Sequence, residues 1–251
     1  MVQHLYIITG ASRGMGLAMA EQLLSAEHVL LCISRHRNEA LATRANALKC
    51  PLEQWPLDLE QGVAAASRLA QWLESRAANS FASATLINNA GVLPQIAPLS
   101  ASDPHDLARA LRVGLEAPLL LTAAFLRATG RWAIPRKVLN ISSGLGRRAM
   151  ASQAAYCAAK AGLDHFTRCL ALDEALKPQG AKVCSLAPGV IDTGMQLHLR
   201  NAEATAFPDQ KNFTDLKSNG QLASPADAAR QVLAYLARAD FGINPIGDVR
   251  E

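Results

Sequence analysis

The stretch LYIITGASRGMG, residues 5–16, decides how the rest of the chain is read. Leu5 to Thr9 is apolar and rich in β-branched residues, the make-up of a buried strand. Gly10, Gly14 and Gly16 follow in the spacing G-x-x-x-G-x-G, and a helical pattern covers about 14–26. Glycine permits a tight turn and the close approach of backbone to a pyrophosphate. The helix N-terminus turns unpaired N–H groups toward the same anion. A glycine-rich turn alone is weak, because ordinary turns use glycine too. Its place between a strand and a helix is what a dinucleotide site requires. Gly10, Ser12, Arg13, Gly14, Met15 and Gly16 are therefore the first candidate cofactor contacts.

Working outward, strand-like runs recur at 29–34, near 50–57, and at 84–88, 137–142 and 182–187. Between them lie helical patterns at 39–48, 60–77, 102–129 (two helices) and 152–177. A helix over 225–238 opens with Ser224 as N-cap and Pro225 in the first helical position. A last short strand fits 244–249, whereas 193–220 is polar and shows no clear period. Such alternation predicts an α/β fold, a doubly wound parallel sheet with helices on both faces. No linker or shift in composition divides the chain, so residues 1–251 read as a single Rossmann-fold domain. Ligands of such sheets sit beyond the carboxyl ends of the strands, which directs attention to residues near 10, 35, 58, 89, 143 and 188.

Composition removes other classes. Half of the 251 residues are hydrophobic, enough for a sizeable core. The net charge of +4 is spread without a long basic run, so no nucleic-acid partner is expected. No segment reaches the roughly 18 apolar residues of a membrane span, and no signal peptide is indicated. Five cysteines, an odd number with no C-x-x-C pair, suit a reducing cytoplasm. Histidines do not group with cysteines or acids at metal-ligand spacing, so no metal site is expected.

The second strand adds a choice of cofactor. A reader of the ribose 2′-hydroxyl is ordinarily acidic, yet here Ser34 and Arg35 end the strand. Arg35 can fork onto a 2′-phosphate, with Arg13 of the glycine loop reaching the same group. NADP(H) is therefore expected over NAD(H).

In AAYCAAKAG, residues 154–162, Tyr156 and Lys160 stand four apart and share a helix face. A free phenol titrates near pH 10, and a neighbouring ammonium lowers that value. A phenol so tuned exchanges a proton with a carbonyl or alcohol oxygen. The spacing alone is common by chance. What raises it is NISSG at 140–144, which brings Ser142 and Ser143 to the sheet edge that holds the glycine loop.

The motifs TGASRGMG, Asp58-Leu59, NNAG, NISS, YCAAK and PGVIDT run in the order and spacing of the short-chain dehydrogenase/reductase family, and the chain resembles its single-domain members over essentially its whole length. The resemblance implies hydride transfer between a nicotinamide and a small-molecule carbonyl or alcohol. It makes Ser143 the substrate-orienting serine, Tyr156 the acid/base, and Lys160 both the tuner of Tyr156 and a ribose ligand. It places Asp58 at the adenine, Asn89, Ala90 and Gly91 along the cofactor, and Pro188, Gly189, Val190 and Thr193 over the nicotinamide. Homodimers or homotetramers are usual in the family.

Through LYIITGASRGMG, EAPLLLT, YCAAKAG, LKSNGQL and the C-terminal GDVRE the chain more closely resembles two branches, the sepiapterin reductases and the bacterial benzil (diketone) reductases. The resemblance thus implies NADPH-dependent reduction of a ketone or vicinal diketone, a pterin side chain being one option, with Asp248 as a candidate substrate anchor. The substrate segment, about 193–220, is the least matched part. One motif position departs: Gly114 stands where the family carries an asparagine that helps hold a relay water, and glycine also weakens a helix. The departure leaves an alternative, a cofactor-binding regulatory protein with little catalysis.

Overall fold

The computed structural model describes residues 3–77 and 80–251. Seven parallel strands form one sheet: β1 (Gln3–Thr9), β2 (His28–Ser34), β3 (Leu52–Pro56), β4 (Phe81–Asn88), β5 (Arg136–Ile141), β6 (Lys182–Ala187) and β7 (Ile246–Asp248). Their order is β3-β2-β1-β4-β5-β6-β7. The chain winds outward from β1 in one direction and from β4 in the other, so a crevice opens between the carboxyl ends of these two central strands.

Nine helices cover the sheet among the described residues: α1 (Gly14–Gln22), α2 (Glu39–Ala47), α3 (Gly62–Glu74), α4 (Pro104–Leu111), α5 (Ala117–Thr129), α6 (Ala154–Ala175), α7 (Gly194–Arg200), α8 (Gln210–Ser218) and α9 (Pro225–Ala237). Alternation along each strand divides the core. Ile7, Leu86, Val138 and Val183 face α3, α5 and α6, while Ile8, Ile87, Leu139 and Cys184 face α1, α2 and α9. Both layers are apolar, which is why the central strands read as unbroken hydrophobic runs.

The structure departs from expectation in three places. The first helix ends at Gln22 rather than near 26, its last turn closing on the Leu23 N–H. Residues 193–220 hold two short helices, α7 and α8, tied to the body by a separate cluster of Ile96, Leu199, Phe207 and Phe213. Gly114 does not interrupt its helix. It lies buried in a π-helical segment, Arg112–Glu116, that joins α4 to α5 without a break.

A buried polar chain fixes α5 and α6 against the sheet. Asn88 Nδ2 donates to Thr122 Oγ1 (3.1 Å) and to Asn140 Oδ1 (2.9 Å), and Asn140 Nδ2 donates to Thr167 Oγ1 (2.9 Å). Asn88 Oδ1 has no partner, but the other members of the chain pair with one another and permit few alternative positions for α6.

Candidate active site

A cavity of about 840 Å³ runs along the carboxyl edge of the sheet. At one end are the glycine loop, Ser34, Arg35, Asp58 and Leu59. Asn89, Ala90 and Gly91 form its middle. At the other end stand Ser143, Tyr156, Lys160 and the stretch Pro188–Gln196.

Backbone makes most of the first end. Asn89 is spent on holding it: its N–H donates to Thr9 Oγ1 (2.9 Å), and its Nδ2 donates to the carbonyls of Thr9 (2.9 Å) and Gly10 (3.3 Å). A Cβ on Gly16 would lie 2.2 Å from the Gly10 carbonyl oxygen, so only glycine fits there. Gly14 is different. It has φ +58°, and a Cβ would meet nothing nearer than Thr193 Cγ2 at 3.8 Å, which leaves open backbone facing the cavity. Asn38 Nδ2 donates to the Ser12 carbonyl (3.2 Å), tying the loop after β2 to the glycine loop. Arg13 and Arg35 are exposed at the rim. The Ser34 hydroxyl donates to the His36 carbonyl (2.8 Å), and Asp58 Oδ1 accepts from the Glu60 N–H (3.0 Å).

At the other end, Ser143 caps a short 3-10 turn after β5, its hydroxyl accepting from the Leu145 N–H (3.2 Å). Tyr156 lies in the first turn of α6, half-buried against the cavity. Burial pushes its phenol above the usual value, and the Ser143 hydroxyl beside it pulls it partway back. Lys160 is almost fully enclosed. Its Nζ donates to the Ile141 carbonyl (2.7 Å) and stands 5.7 Å from the Tyr156 ring centre. Burial brings Lys160 down to about 8, while Asp164 one turn on opposes that fall.

Asp164 escaped the sequence reading, although Tyr156, Lys160 and Asp164 follow one another at i, i+4 and i+8 on a single face. Buried, it accepts from Ser185 Oγ (2.7 Å) and Arg147 Nε (3.2 Å), and Arg147 Nη2 donates to the Gly247 carbonyl (2.8 Å). This clamp joins the turn after Ser143 to α6, β6 and β7. Asp248 does not line the cavity. Arg250 grips its carboxylate through Nε (2.7 Å) and Nη2 (2.6 Å), holds it below the usual carboxylate range, and itself reaches the wall. The pairing was open to view in the sequence as two opposite charges two residues apart.

The end that holds Ser143 and Tyr156 is roofed by α7 and α8, through Gln196, Leu199 and Phe213. Asp192 accepts from Lys217 Nζ (2.5 Å) and from Arg200 (3.4 Å), which ties the start of this segment to its end. Gln153, Gln196, Arg148 and Phe213 also line the wall, and none of them carries a motif. Among the described residues no helix is long and apolar enough to cross a membrane.

Comparison with known proteins agrees with this geometry. The sequence profile of the short chain dehydrogenase family matches residues 4–204. The chain is 33% identical over 243 residues to a benzil reductase ((S)-benzoin forming) of Bacillus cereus, covering 97% of this chain and 96% of that protein. It is 33% identical to a sepiapterin reductase of Xenopus tropicalis, over 92% of this chain and 90% of that one. A short-chain dehydrogenase/reductase from Burkholderia vietnamiensis, solved by crystallography, is 35% identical with a TM-score of 0.68, covering 100% of this chain and 98% of that chain.

Proposed function

The chain belongs to the short chain dehydrogenase family of oxidoreductases, and on that premise we propose that it is an NADPH-dependent reductase of ketones or vicinal diketones, a pterin side chain being one option. The observation that carries the reading is the meeting of Ser143, Tyr156 and Lys160 at one end of a cavity whose other end is the glycine loop. The open backbone over Gly14 suits a pyrophosphate, and Arg13 and Arg35 at the rim suit a 2′-phosphate. The relatives support the substrate class, since the benzil reductase of Bacillus cereus is named for a vicinal diketone.

When bound, the nicotinamide supplies a hydride to the carbonyl carbon. The Ser143 hydroxyl donates to the carbonyl oxygen and holds it beside the phenol. Tyr156 gives its proton to that oxygen, so the C=O bond becomes CH–OH with one hydride and one proton added. The Lys160 cation then faces the phenolate and favours its survival until solvent returns the proton. Ala90, Gly91, Pro188, Gly189, Val190 and Thr193 would hold the nicotinamide end of the cofactor, and Met15, Leu59 and Asp58 its adenine end.

We read the chain as a single cytoplasmic domain with 193–220 as its substrate segment. Cys32, Cys50 and Cys184 are buried free thiols, which suits a reducing compartment. Leu119 on α5, Leu172 on α6 and Leu176 just past the end of α6 are exposed, which suits a homodimer or homotetramer. Sedimentation equilibrium decides this, and a monomer at micromolar concentration refutes it.

The test of activity is cofactor consumption over a panel of diketones and pterins with NADPH and with NADH. NADPH is expected to bind more tightly, and equal or tighter binding of NADH overturns the cofactor choice. Tyr156→Phe is expected to lose about 10²–10⁴-fold in kcat. Near-normal turnover of that variant contradicts the mechanism. The second reading rests on Gly114: a protein that binds NADPH but turns over nothing in the panel is the regulatory one.

A further inference from the structure

We infer that the substrate of this site carries a hydrogen-bond donor, a hydroxyl or N–H, close to its reducible carbonyl, received by the amide oxygens of Gln153 and Gln196. The inference rests on the carbonyl-reductase reading above and narrows it, because a donor-free diaryl diketone would not satisfy these groups.

Gln153 has no exposed surface and stands on the cavity wall, one turn before Tyr156. Its Oε1 is buried without a partner. The amide is oriented, because Nε2 donates to the Ser152 carbonyl (3.0 Å), and turning it over would set two oxygens against each other. Ser152 in turn donates through its hydroxyl to the Ala206 carbonyl (2.6 Å), which places Gln153 where α6 meets the segment over the substrate end. Gln196, on α7 in that same segment, is 8% exposed, lines the same cavity, and also has a buried, partnerless Oε1.

An unpaired buried acceptor costs about 1–3 kcal/mol, and native proteins keep few of them. Two amide oxygens in that condition among the residues lining one cavity are explained by a ligand that brings the missing donors. The wall is then divided by chemistry. The Tyr156 and Ser143 hydroxyls serve an acceptor, the carbonyl oxygen, and the two glutamine oxygens serve a donor beside it. Sites built around such a group reject analogues lacking it far better than sites that merely add a methylene of contact.

The experiment compares isatin, a vicinal dicarbonyl with a lactam N–H, and N-methylisatin, which lacks only that donor, under saturating NADPH, with benzil as a donor-free reference. The wild type is expected to prefer isatin by about tenfold or more in kcat/KM, mostly through KM. Gln153→Met and Gln196→Met, near in shape but without an acceptor oxygen, are each expected to reduce that preference to about threefold or less. A wild-type ratio near one overturns the inference and leaves the reductase reading standing. So does a large ratio that neither variant moves, since the methyl group's bulk would then be its cause. Turnover of none of the three compounds overturns both. If Gln153→Met does not fold, the wild-type ratio and Gln196→Met, on a different helix, still decide.

Discussion

The two ends of the cavity are built on different principles. The glycine-loop end is backbone held at close quarters: Gly16 sits under the Gly10 carbonyl at a spacing no side chain fits, and the Asn89 side chain, just after β4, fastens the loop through the Thr9 and Gly10 carbonyls. The other end, where substrate is proposed to bind, is side chains roofed by α7 and α8, held down by four buried apolar residues and a surface ion-pair cluster at Asp192. One end has almost no freedom to vary. The other can exchange its lining while the fold persists, which is how one scaffold serves many substrates.

Substitutions should separate the two ends, and the largest effect belongs to the rigid one. Gly16→Ala drives a methyl into the Gly10 carbonyl and is expected to cost about 3 kcal/mol or more of stability and to abolish NADPH binding. Denaturant melts and cofactor fluorescence read it, and a stable variant that still binds NADPH would break the comparison. Phe207→Ala empties the anchor under the roof. It is expected to raise KM for diketones about tenfold or more while NADPH affinity changes less than about twofold. Equal losses at both ends would show that the roof is not a separate unit.

A smaller effect lies where the ends meet. Lys160 carries its proton below about pH 8 and loses it above, so reductase kcat/KM is expected to fall as pH rises through that value. Lys160→Met should be slower and lack that limb, and a limb unchanged in the variant would assign the titration elsewhere. The smallest effect is at the surface. Lys217→Ala removes one partner of Asp192, an exposed pair of the kind that contributes little. Its melting temperature is expected to stay within about 2 °C of the wild type. A larger drop would make the ion pairs, rather than Phe207 and its neighbours, the main fastening of the roof.

The same division explains what the sequence made legible. A glycine forced by a carbonyl 2.2 Å away, or a strand buried on both faces, leaves a mark in the letters, and the glycine loop and the doubly wound parallel sheet were readable for that reason, whereas Ser143, Tyr156 and Lys160 were proposed from family-like motifs. The helices α7 and α8 were not. GMQLHLR and QKNFTDLKS bury few residues each, so no period emerges above the polar background. Gln153 and Gln196 left no mark, because their meaning lies in partners they lack. Asp164 could have been found by extending the four-residue step once more along α6.

Gly114 gains its sense from a neighbour. A Cβ there would come within 3.0 Å of Ala159 Cβ, tighter than atoms of that kind ordinarily approach. Ala159 precedes Lys160 and lies on the helix that carries Tyr156. Position 114 therefore works as a mechanical clearance for α6. Placing an asparagine there would act less like refitting a missing part than like inserting a shim, displacing Tyr156 and Lys160 by a few tenths of an ångström. Positions 114 and 159 are consequently expected to vary together, and Gly114→Asn paired with Ala159→Gly should be tolerated better than Gly114→Asn alone.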